Sequence, residues 1–282
     1  MTFISTVIAR QGIILSADSK ELVQGGQLMW KDFDEILKQK NTNEDDTTIS
    51  ISPKEITDKF KNNAQLTKGR VKSTDGARKL FQIGTHSAIL LSGVANPNGQ
   101  EFSTIIQTIR DSVQTSTDSS FANILNTTFS IIYPLITADT SDDKHQSEYL
   151  FCGLDEIDNK FKVFRFFFND KIRMDANGQS EKNATGGWIK DKYFHKTERT
   201  ALLNTSGWTN YIGELGTINQ EGLNIDLPEA FRLSKNIMDL VVTIENISNV
   251  ITGIGGRIYH AAITKDGFYW VDTETEVMNS MR

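Results

Sequence analysis

The sequence has a single cysteine and no excess of positive charge, and each of these shortages excludes a class of protein. Cys152 alone cannot form a disulfide within the chain, which suits a reducing compartment. The 30 lysine and arginine residues are outnumbered by 36 aspartate and glutamate residues, so the net charge is −6. Phosphate binding needs a basic face, and the sequence shows no basic cluster on a well-patterned element. Nucleic acid is therefore not an expected partner.

Long apolar runs and paired metal ligands are also missing. No window approaches the roughly 20 apolar residues of a membrane span, and the first residues lack the basic and apolar pattern of a signal peptide. The four histidines are scattered and show no metal-ligand spacing. No internal repeat stands out. We therefore expect a cytoplasmic protein without a membrane partner, a bound metal or a cofactor.

The most informative stretch is the first twenty residues. Two apolar, β-branched runs at 3–9 and 13–17 are joined by a short turn with Gly12, where a positive φ is easiest. This pattern predicts a β-hairpin that starts at the N-terminus. Its second strand ends at Asp18, so we expect this carboxylate to return beside Thr2.

Thr2 becomes chemically interesting if an aminopeptidase removes Met1, which the small threonine side chain permits. It then carries both a hydroxyl and a free α-amine, the minimum for a nucleophile that supplies its own base. A Met-Thr start usually has no catalytic meaning, and an aspartate is an ordinary strand end. The pairing of Thr2 with Asp18 is therefore a hypothesis that other residues must support.

The rest of the chain alternates between strand-like and helix-like patterns. A polar segment at about 24–75, with one amphipathic stretch at about 28–40, is interpreted as an insertion. The expected elements after it are strands at 77–84 and 86–93, helices at 102–113 and 119–138, strands at 148–154 and 161–168, loops around short elements over 170–225, a helix at 227–248, and strands at 255–263 and 267–271. Asn98 or Ser103 is expected to cap the first helix, and Pro134 to bend or end the second. This order fits two sheets between helix layers.

These residues, in this order, resemble a proteasome β-type subunit of the N-terminal-nucleophile (Ntn) hydrolase superfamily. The marks are the hairpin ending in Ala17-Asp18-Ser19, the strand Arg78-Lys79-Leu80-Phe81-Gln82-Ile83 leading to Ser92-Gly93, and the last hairpin with its Gly-Gly pair and Tyr-His. The resemblance covers nearly the whole chain except about 24–75. It implies an α+β fold, a four-layer αββα sandwich of two antiparallel sheets between helices, as a single domain over 1–282 with that insertion.

The resemblance also implies a set of catalytic residues. Thr2 matches the family nucleophile, Asp18 the aspartate that orients the catalytic lysine, and Gly93 the residue whose N–H forms the oxyanion hole. Lys79 matches the lysine if 24–75 is an insertion. Lys31 and Lys38 are alternatives that lie nearer in sequence but lack the strand context.

Three further positions follow from the same resemblance. Ser206 resembles the serine that hydrogen-bonds the terminal amine, and the last two family positions fall near Asn249 and Thr252. The family usually has aspartate and serine there. Asn249 therefore removes a charge that would support the terminal ammonium.

The activity implied is that of a threonine-type endopeptidase cutting peptides or unfolded proteins, assembled with copies of itself in a ring or stack. An ATPase unfoldase is a further partner that the resemblance allows. Two alternatives stay open: a catalytically silent structural or assembly subunit, and an Ntn amidohydrolase acting on a small amide. The 24–75 insertion is expected to form a lid or an intersubunit contact beside Thr2.

Overall fold

The computed structural model describes residues 2–24, 71–74, 76–93, 97–138, 146–172, 184, 190–207, 224–248 and 254–281. These residues form four helices and twelve strands. The helices are α1 (Phe102–Thr115), α2 (Phe121–Ala138), α3 (Leu227–Ser248) and α4 (Glu274–Asn279). The strands are β1 (Phe3–Ala9), β2 (Gly12–Asp18), β3 (Glu21–Gln24), β4 (Val71–Thr74), β5 (Leu80–Gly84), β6 (Ser87–Ser92), β7 (Gln146–Asp155), β8 (Lys160–Ile172), β9 (Lys190–Arg199), β10 (Leu203–Gly207), β11 (Ile258–Thr264) and β12 (Gly267–Trp270).

The chain divides into two compact units. One unit contains Met1–Lys20 and Asp75–Arg282, and the other contains Glu21–Thr74. In the second unit β3 pairs antiparallel with β4. This unit spans the segment where the insertion was predicted, and the helix predicted at about 28–40 lies outside the described residues. That the whole chain is one domain stays a prediction.

The larger unit contains two antiparallel five-stranded sheets. The first sheet has the order β10-β1-β2-β11-β12 and the second the order β5-β6-β7-β8-β9. Apolar residues from both sheets form one buried cluster, in which Ile4 and Leu15 of the first sheet join Leu90 and Leu150 of the second. Each such side chain contributes roughly 1.5–3 kcal/mol by leaving water. The sheets therefore pack face to face.

Each sheet also packs against helices in a separate buried cluster. Phe231 of α3 packs in a buried cluster with Val7 of β1 and Ile14 of β2. Ile105 of α1 and Leu125 of α2 pack in another cluster with Phe81 of β5 and Phe151 of β7. The fold is thus of the α+β class. No helix in the described part of the chain is both long and apolar enough to cross a bilayer.

The predicted hairpin at the N-terminus is confirmed as β1 and β2. The expected helix at 227–248 is α3, which has Pro228 in its first turn, where a missing N–H is harmless. The strands predicted at 148–154 and 161–168 are the longer β7 and β8.

The prediction of loops around short elements at 170–225 needs correction at β9, which is ten residues long, whereas β10 is a short strand of five residues. Both are edge strands of their sheets. The sequence of β9 is KDKYFHKTER, and the sequence of β10 is the short LNTSG. Charged or short edge strands are stabilised by backbone pairing and do not need an alternating apolar pattern, so the sequence gives little sign of them.

The helices differ from the prediction in three places. α1 has Glu101 at its N-cap with no side-chain capping bond, so neither Asn98 nor Ser103 caps it. α2 continues past Pro134 to Ala138, so Pro134 does not end the helix, and a bend there stays a prediction. The short helix α4 was not predicted, although Thr273 and Glu276 form a capping box at its start.

Gly12 is required for space and not for a positive φ. The described glycines with positive φ are Gly76, Gly93, Gly99, Gly255, Gly256 and Gly267. A Cβ atom on Gly12 would instead lie 2.3 Å from the carbonyl oxygen of Ile263 and 3.1 Å from Leu227 Cδ1. The reason is that Gly12 pairs with β11 as well as β1.

We expect Gly12→Ala to lower the free energy of unfolding by about 1–3 kcal/mol, because a backbone oxygen cannot move aside without disturbing the β2–β11 pairing. Chemical denaturation measures this change. The control is Gln114→Ala, on an exposed position of α1, which should change stability by less than about 0.5 kcal/mol. Equal stability of the two variants would contradict the steric explanation.

Candidate active site

The candidate site is built around the carboxylate of Asp18, which is fully buried at the end of β2. Its Oδ1 accepts hydrogen bonds from the backbone N–H of Phe3 at 2.9 Å and from Lys79 Nζ at 3.0 Å. Its Oδ2 accepts from Lys79 Nζ at 3.0 Å, from Lys20 N at 3.1 Å and from Gly255 N at 3.3 Å. One side chain therefore joins four separate stretches of the chain.

Lys79 is almost as deeply buried, with only 6% of its surface exposed. Its ammonium donates to both oxygens of Asp18 and also to the backbone carbonyl of Lys20. An ammonium group has three donors, and the described residues offer this one three acceptor atoms. The arrangement fits a charged lysine.

The strand placement of Lys79 needs a small correction. We predicted a lysine on the strand, whereas β5 begins one residue later at Leu80. The carbonyl of Lys79 nevertheless accepts a hydrogen bond from the N–H of Leu91 in β6, at 2.9 Å. The backbone of Lys79 is thus fixed by the neighbouring strand.

Burial and charge act on Asp18 in opposite directions. Removal from water raises the pKa of the Asp18 carboxyl, while the charge of Lys79 and the hydrogen bonds from Phe3, Lys79 and Gly255 lower it, and burial has the larger effect. Every one of its hydrogen-bond partners is a donor. Such a set of partners fits an ionised carboxylate and leaves no acceptor for a carboxylic acid proton.

Gly255 is a site residue to which the sequence reasoning gave no role. Its φ is +133°, a conformation that other residues rarely adopt. Its N–H donates to Asp18, and its carbonyl accepts from Ser19 N at 3.1 Å and from Lys20 N at 3.2 Å. The signal in the sequence was the Gly-Gly pair just before the last hairpin.

Thr2 lies directly before β1 and is partly exposed. The next peptide N–H, that of Phe3, is bound by the same Oδ1 atom that receives Lys79 Nζ. The backbone beside Thr2 is therefore tied to the Asp18–Lys79 pair. Among the predicted residues, this is the group that the structure brings together.

Two more of the predicted residues, Gly93 and Ser206, lie in described parts of the chain. Gly93 is exposed with φ +117° and follows β6, two residues after the Leu91 that holds Lys79. Ser206 of β10 pairs with Ile4 of β1, and its buried hydroxyl has no hydrogen-bond partner among the described residues. Asn249 and Thr252 lie outside the described residues.

A second buried polar group lies where α3 packs on the first sheet. Ser16 Oγ is 2.6 Å from His260 Nδ1 and 2.7 Å from Ser234 Oγ, which in turn is 3.0 Å from Ser5 Oγ. A serine next to a histidine is also the geometry of an activated nucleophile. Because Ser16 has no exposed surface, substrate cannot reach its hydroxyl, and the network is structural.

Cys152 offers no second nucleophile. It lies on β7 in the cluster between the sheets, with no exposed surface. Burial raises the pKa of its thiol. Reactive cysteines are exposed enough to be reached and have a lowered pKa, so Cys152 acts as a small core residue.

No protein family's sequence profile matches the chain, and no curated protein matches it significantly. The chemistry of the site is therefore argued from its own residues.

We expect the buried pair Asp18 and Lys79 to be strongly coupled. Asp18→Ala and Lys79→Ala should each lower the free energy of unfolding by about 3–5 kcal/mol, because each leaves a buried charge without its main partner. In the double variant the free energy of unfolding should fall by at least about 1 kcal/mol less than the sum of the two single-variant decreases. A double-mutant cycle by urea denaturation measures this coupling.

The matched control is the exposed pair Arg232 and Glu274, whose nearest charged atoms are 3.6 Å apart. Its coupling energy should be within about 0–1 kcal/mol. If the buried pair shows no more coupling than this exposed pair, the electrostatic description of the site is wrong.

His260 should make stability depend on pH. Burial, and secondarily the charge of Lys235, lower the pKa of His260 to about 4, against the opposing charges of Asp272 and Asp239. In the unfolded chain the pKa is about 6.5. Between these values the unfolded chain binds more protons, so the protein should lose up to about 3 kcal/mol of stability as the pH falls from about 6.5 to about 4.

The test compares the unfolding free energy of the native protein and of His260→Gln across this pH range. The native protein should lose stability more steeply on acidification, and other titrating groups cancel in the comparison. Parallel pH profiles for the two proteins would rule out a buried, neutral His260.

Proposed function

We propose that the protein hydrolyses amide bonds as an Ntn-type threonine endopeptidase, with Thr2 as the nucleophile after Met1 is removed. The observation that carries this proposal is the shared Oδ1 atom of Asp18, which binds both Lys79 Nζ and the peptide N–H next to Thr2. A hydroxyl at a chain terminus, a buried ammonium and an orienting carboxylate together form an activated nucleophile. Peptides or unfolded proteins are the proposed substrates.

The α-amine of Thr2 is the proposed general base. Its ordinary pKa of roughly 7.7–8.0 lies close to neutral pH, where a base works best. The positive charge of Lys79 favours the deprotonated forms of both the amine and the hydroxyl. Asp18 holds that charge in one place, because both carboxylate oxygens contact Nζ.

The reaction proceeds in two steps. The Thr2 hydroxyl oxygen bonds to the substrate carbonyl carbon while its proton passes to the α-amine, and that proton then goes to the leaving amine as the amide C–N bond breaks. Water, deprotonated by the same amine, hydrolyses the acyl-Thr2 ester. We assign the oxyanion to the N–H of Gly93, and loss of one such donor typically raises the barrier by roughly 2.7–4 kcal/mol.

The packing of the larger unit supports the finer fold assignment in this proposal, a four-layer αββα sandwich. One apolar cluster joins the two sheets, and separate clusters join α3 to the first sheet and α1 and α2 to the second. Self-assembly in a ring or stack and an ATPase partner belong to the same proposal. They rest on the resemblance of the sequence.

The test begins with the mature N-terminus. We expect intact mass to show a chain that starts at Thr2, and an epoxyketone or β-lactone probe to modify Thr2 in peptide mapping. Thr2→Ala should abolish hydrolysis of peptides without lowering the melting temperature, while Thr2→Ser should retain activity because it keeps the hydroxyl. Full activity of Thr2→Ala would show that another residue is the nucleophile.

The role of the lysine is tested in the same assay. Lys79→Ala should reduce the rate by orders of magnitude, whereas Lys31→Ala and Lys38→Ala, whose positions lie outside the described residues, should leave it unchanged. Equal losses for Lys31→Ala would place the catalytic lysine elsewhere. A chain that keeps Met1 and does not react with the probe would support the silent structural subunit instead.

A further inference from the structure

A cleft of about 300 Å³ lies in the larger unit, near the start of β5 and the last hairpin. It is lined by Arg78, Arg257, Tyr259, His260, Trp270 and Asp272. None of these residues belongs to the proposed catalytic set. We call it the arginine–tryptophan cleft.

The two arginines are held over aromatic rings. The guanidinium carbon of Arg78 lies 5.2 Å from the centre of the Trp270 ring and 5.4 Å from that of Phe81. The guanidinium carbon of Arg257 lies 5.1 Å from the Tyr259 ring. Stacking of this kind is favourable, and it fixes the plane in which each guanidinium presents its N–H groups.

Both arginines keep hydrogen-bonding capacity for a ligand. Arg78 uses its Nε to donate to the carbonyl of Leu80 at 3.3 Å, and its two terminal amino groups have no acceptor among the described residues. Arg257 Nη2 is 3.7 Å from Asp272 Oδ2, longer than a hydrogen bond. The side chain of Arg257 is 67% exposed, so this pair is weak.

The charges in the cleft favour a carboxylate. Two guanidinium groups face one carboxylate there, although the chain as a whole has a net charge of −6. The planar N–H fork of arginine matches a carboxylate in a bidentate arrangement. A phosphate has a similar fork geometry, but its second negative charge would be repelled more strongly by Asp272.

The surroundings favour a peptide as the bearer of that carboxylate. Trp270 is 43% exposed, and the neighbouring Tyr269 is 36% exposed, so large aromatic surface borders the cleft. Both lie on β12, which is the last strand of its sheet among the described residues. An edge strand offers main-chain groups to an extended peptide, and exposed aromatic rings pack against its side chains.

The cleft is joined to the candidate active site through the backbone. Arg78 immediately precedes Lys79, and Arg257 follows two residues after Gly255, while Lys79 and Gly255 both donate to Asp18. In β11, Ile258 pairs with Asp18 and Tyr259 with Ala17. The stretches that hold the catalytic carboxylate therefore also carry the two arginines.

We propose that the arginine–tryptophan cleft binds a carboxylate of an acidic peptide, between Arg78 and Arg257. That this peptide is the substrate, with the cleft as a specificity subsite, rests on the proposed function. The carboxylate has two sources in a peptide, an acidic side chain or the chain terminus, and the test separates them.

Binding is measured directly on Thr2→Ala, so that it does not depend on cleavage. The probes are three short fluorescent peptides of otherwise identical sequence: one with Glu and an amidated C-terminus, one with Gln and an amidated C-terminus, and one with Gln and a free C-terminus. At least one carboxylate peptide should bind about tenfold or more tightly than the amidated Gln peptide. Equal binding of all three, or none, overturns the proposal.

Variants then locate the binding. Arg78→Gln and Arg257→Gln should each remove most of the preference for the carboxylate. The control Arg232→Gln removes the same charge from an exposed position outside the cleft and should leave that preference unchanged. Asp272→Asn should tighten binding of the acidic peptide several-fold, since it removes a competing carboxylate. A merely structural role of these residues would not produce that gain. Circular dichroism checks that each variant is folded.

The outcomes separate this inference from the proposed function. If Arg232→Gln weakens binding of the carboxylate peptide as much as Arg78→Gln does, the binding is general electrostatic attraction and the cleft proposal is wrong. If the cleft variants lose carboxylate binding while the native protein cleaves no peptide, the binding site is supported and the proposed peptidase activity is wrong. If the native protein cleaves Glu and Gln peptides equally and Thr2→Ala, with its cleft intact, binds all three probe peptides alike, the peptidase proposal is supported and the cleft proposal is wrong.

Discussion

The burial of the Asp18 carboxylate is the constraint on which the N-terminal region depends. A lone buried charge would cost far more than the protein's net stability allows, so it must be surrounded by donors. Phe3 and Lys20 supply N–H groups from either end of the β1–β2 hairpin region, while Lys79 and Gly255 come from distant parts of the chain. The need to satisfy one anion thereby fixes the positions of the chain start, the lysine and the glycine loop.

Ion pairing and hydrogen bonding serve different purposes at the two buried polar groups of the first sheet. The Asp18–Lys79 pair places its charges beside the partly exposed Thr2. The network of Ser5, Ser16, Ser234 and His260 is neutral, and its inner hydroxyl groups have no exposed surface. The two buried groups therefore differ in what they can reach, because only the first lies beside an accessible residue.

Much of the fold could be predicted where apolar patterning is strong. The hairpin of β1 and β2, the long helix α3 and the paired strands β7 and β8 have one or two apolar faces, and burial of those faces outweighs local alternatives. The edge strands β9 and β10 lack this signal, since their stability comes from backbone pairing to a neighbour that sequence alone does not reveal. Gly12 illustrates the same limit, because the atom that excludes a side chain there is the carbonyl oxygen of Ile263, more than two hundred residues away in the sequence.

The candidate site, too, could be predicted from the sequence only in part. The sequence by itself determined the residue types of the hairpin, which carries Thr2 at its start and Asp18 at its end, because a short turn forces two strands together. Only the tertiary structure decided which lysine meets Asp18 and that Gly255 completes its ring of donors. Those contacts cross 61 and 237 residues of chain, and no local rule fixes them. They form because the two sheets pack face to face and a buried carboxylate must find its donors wherever the fold places them.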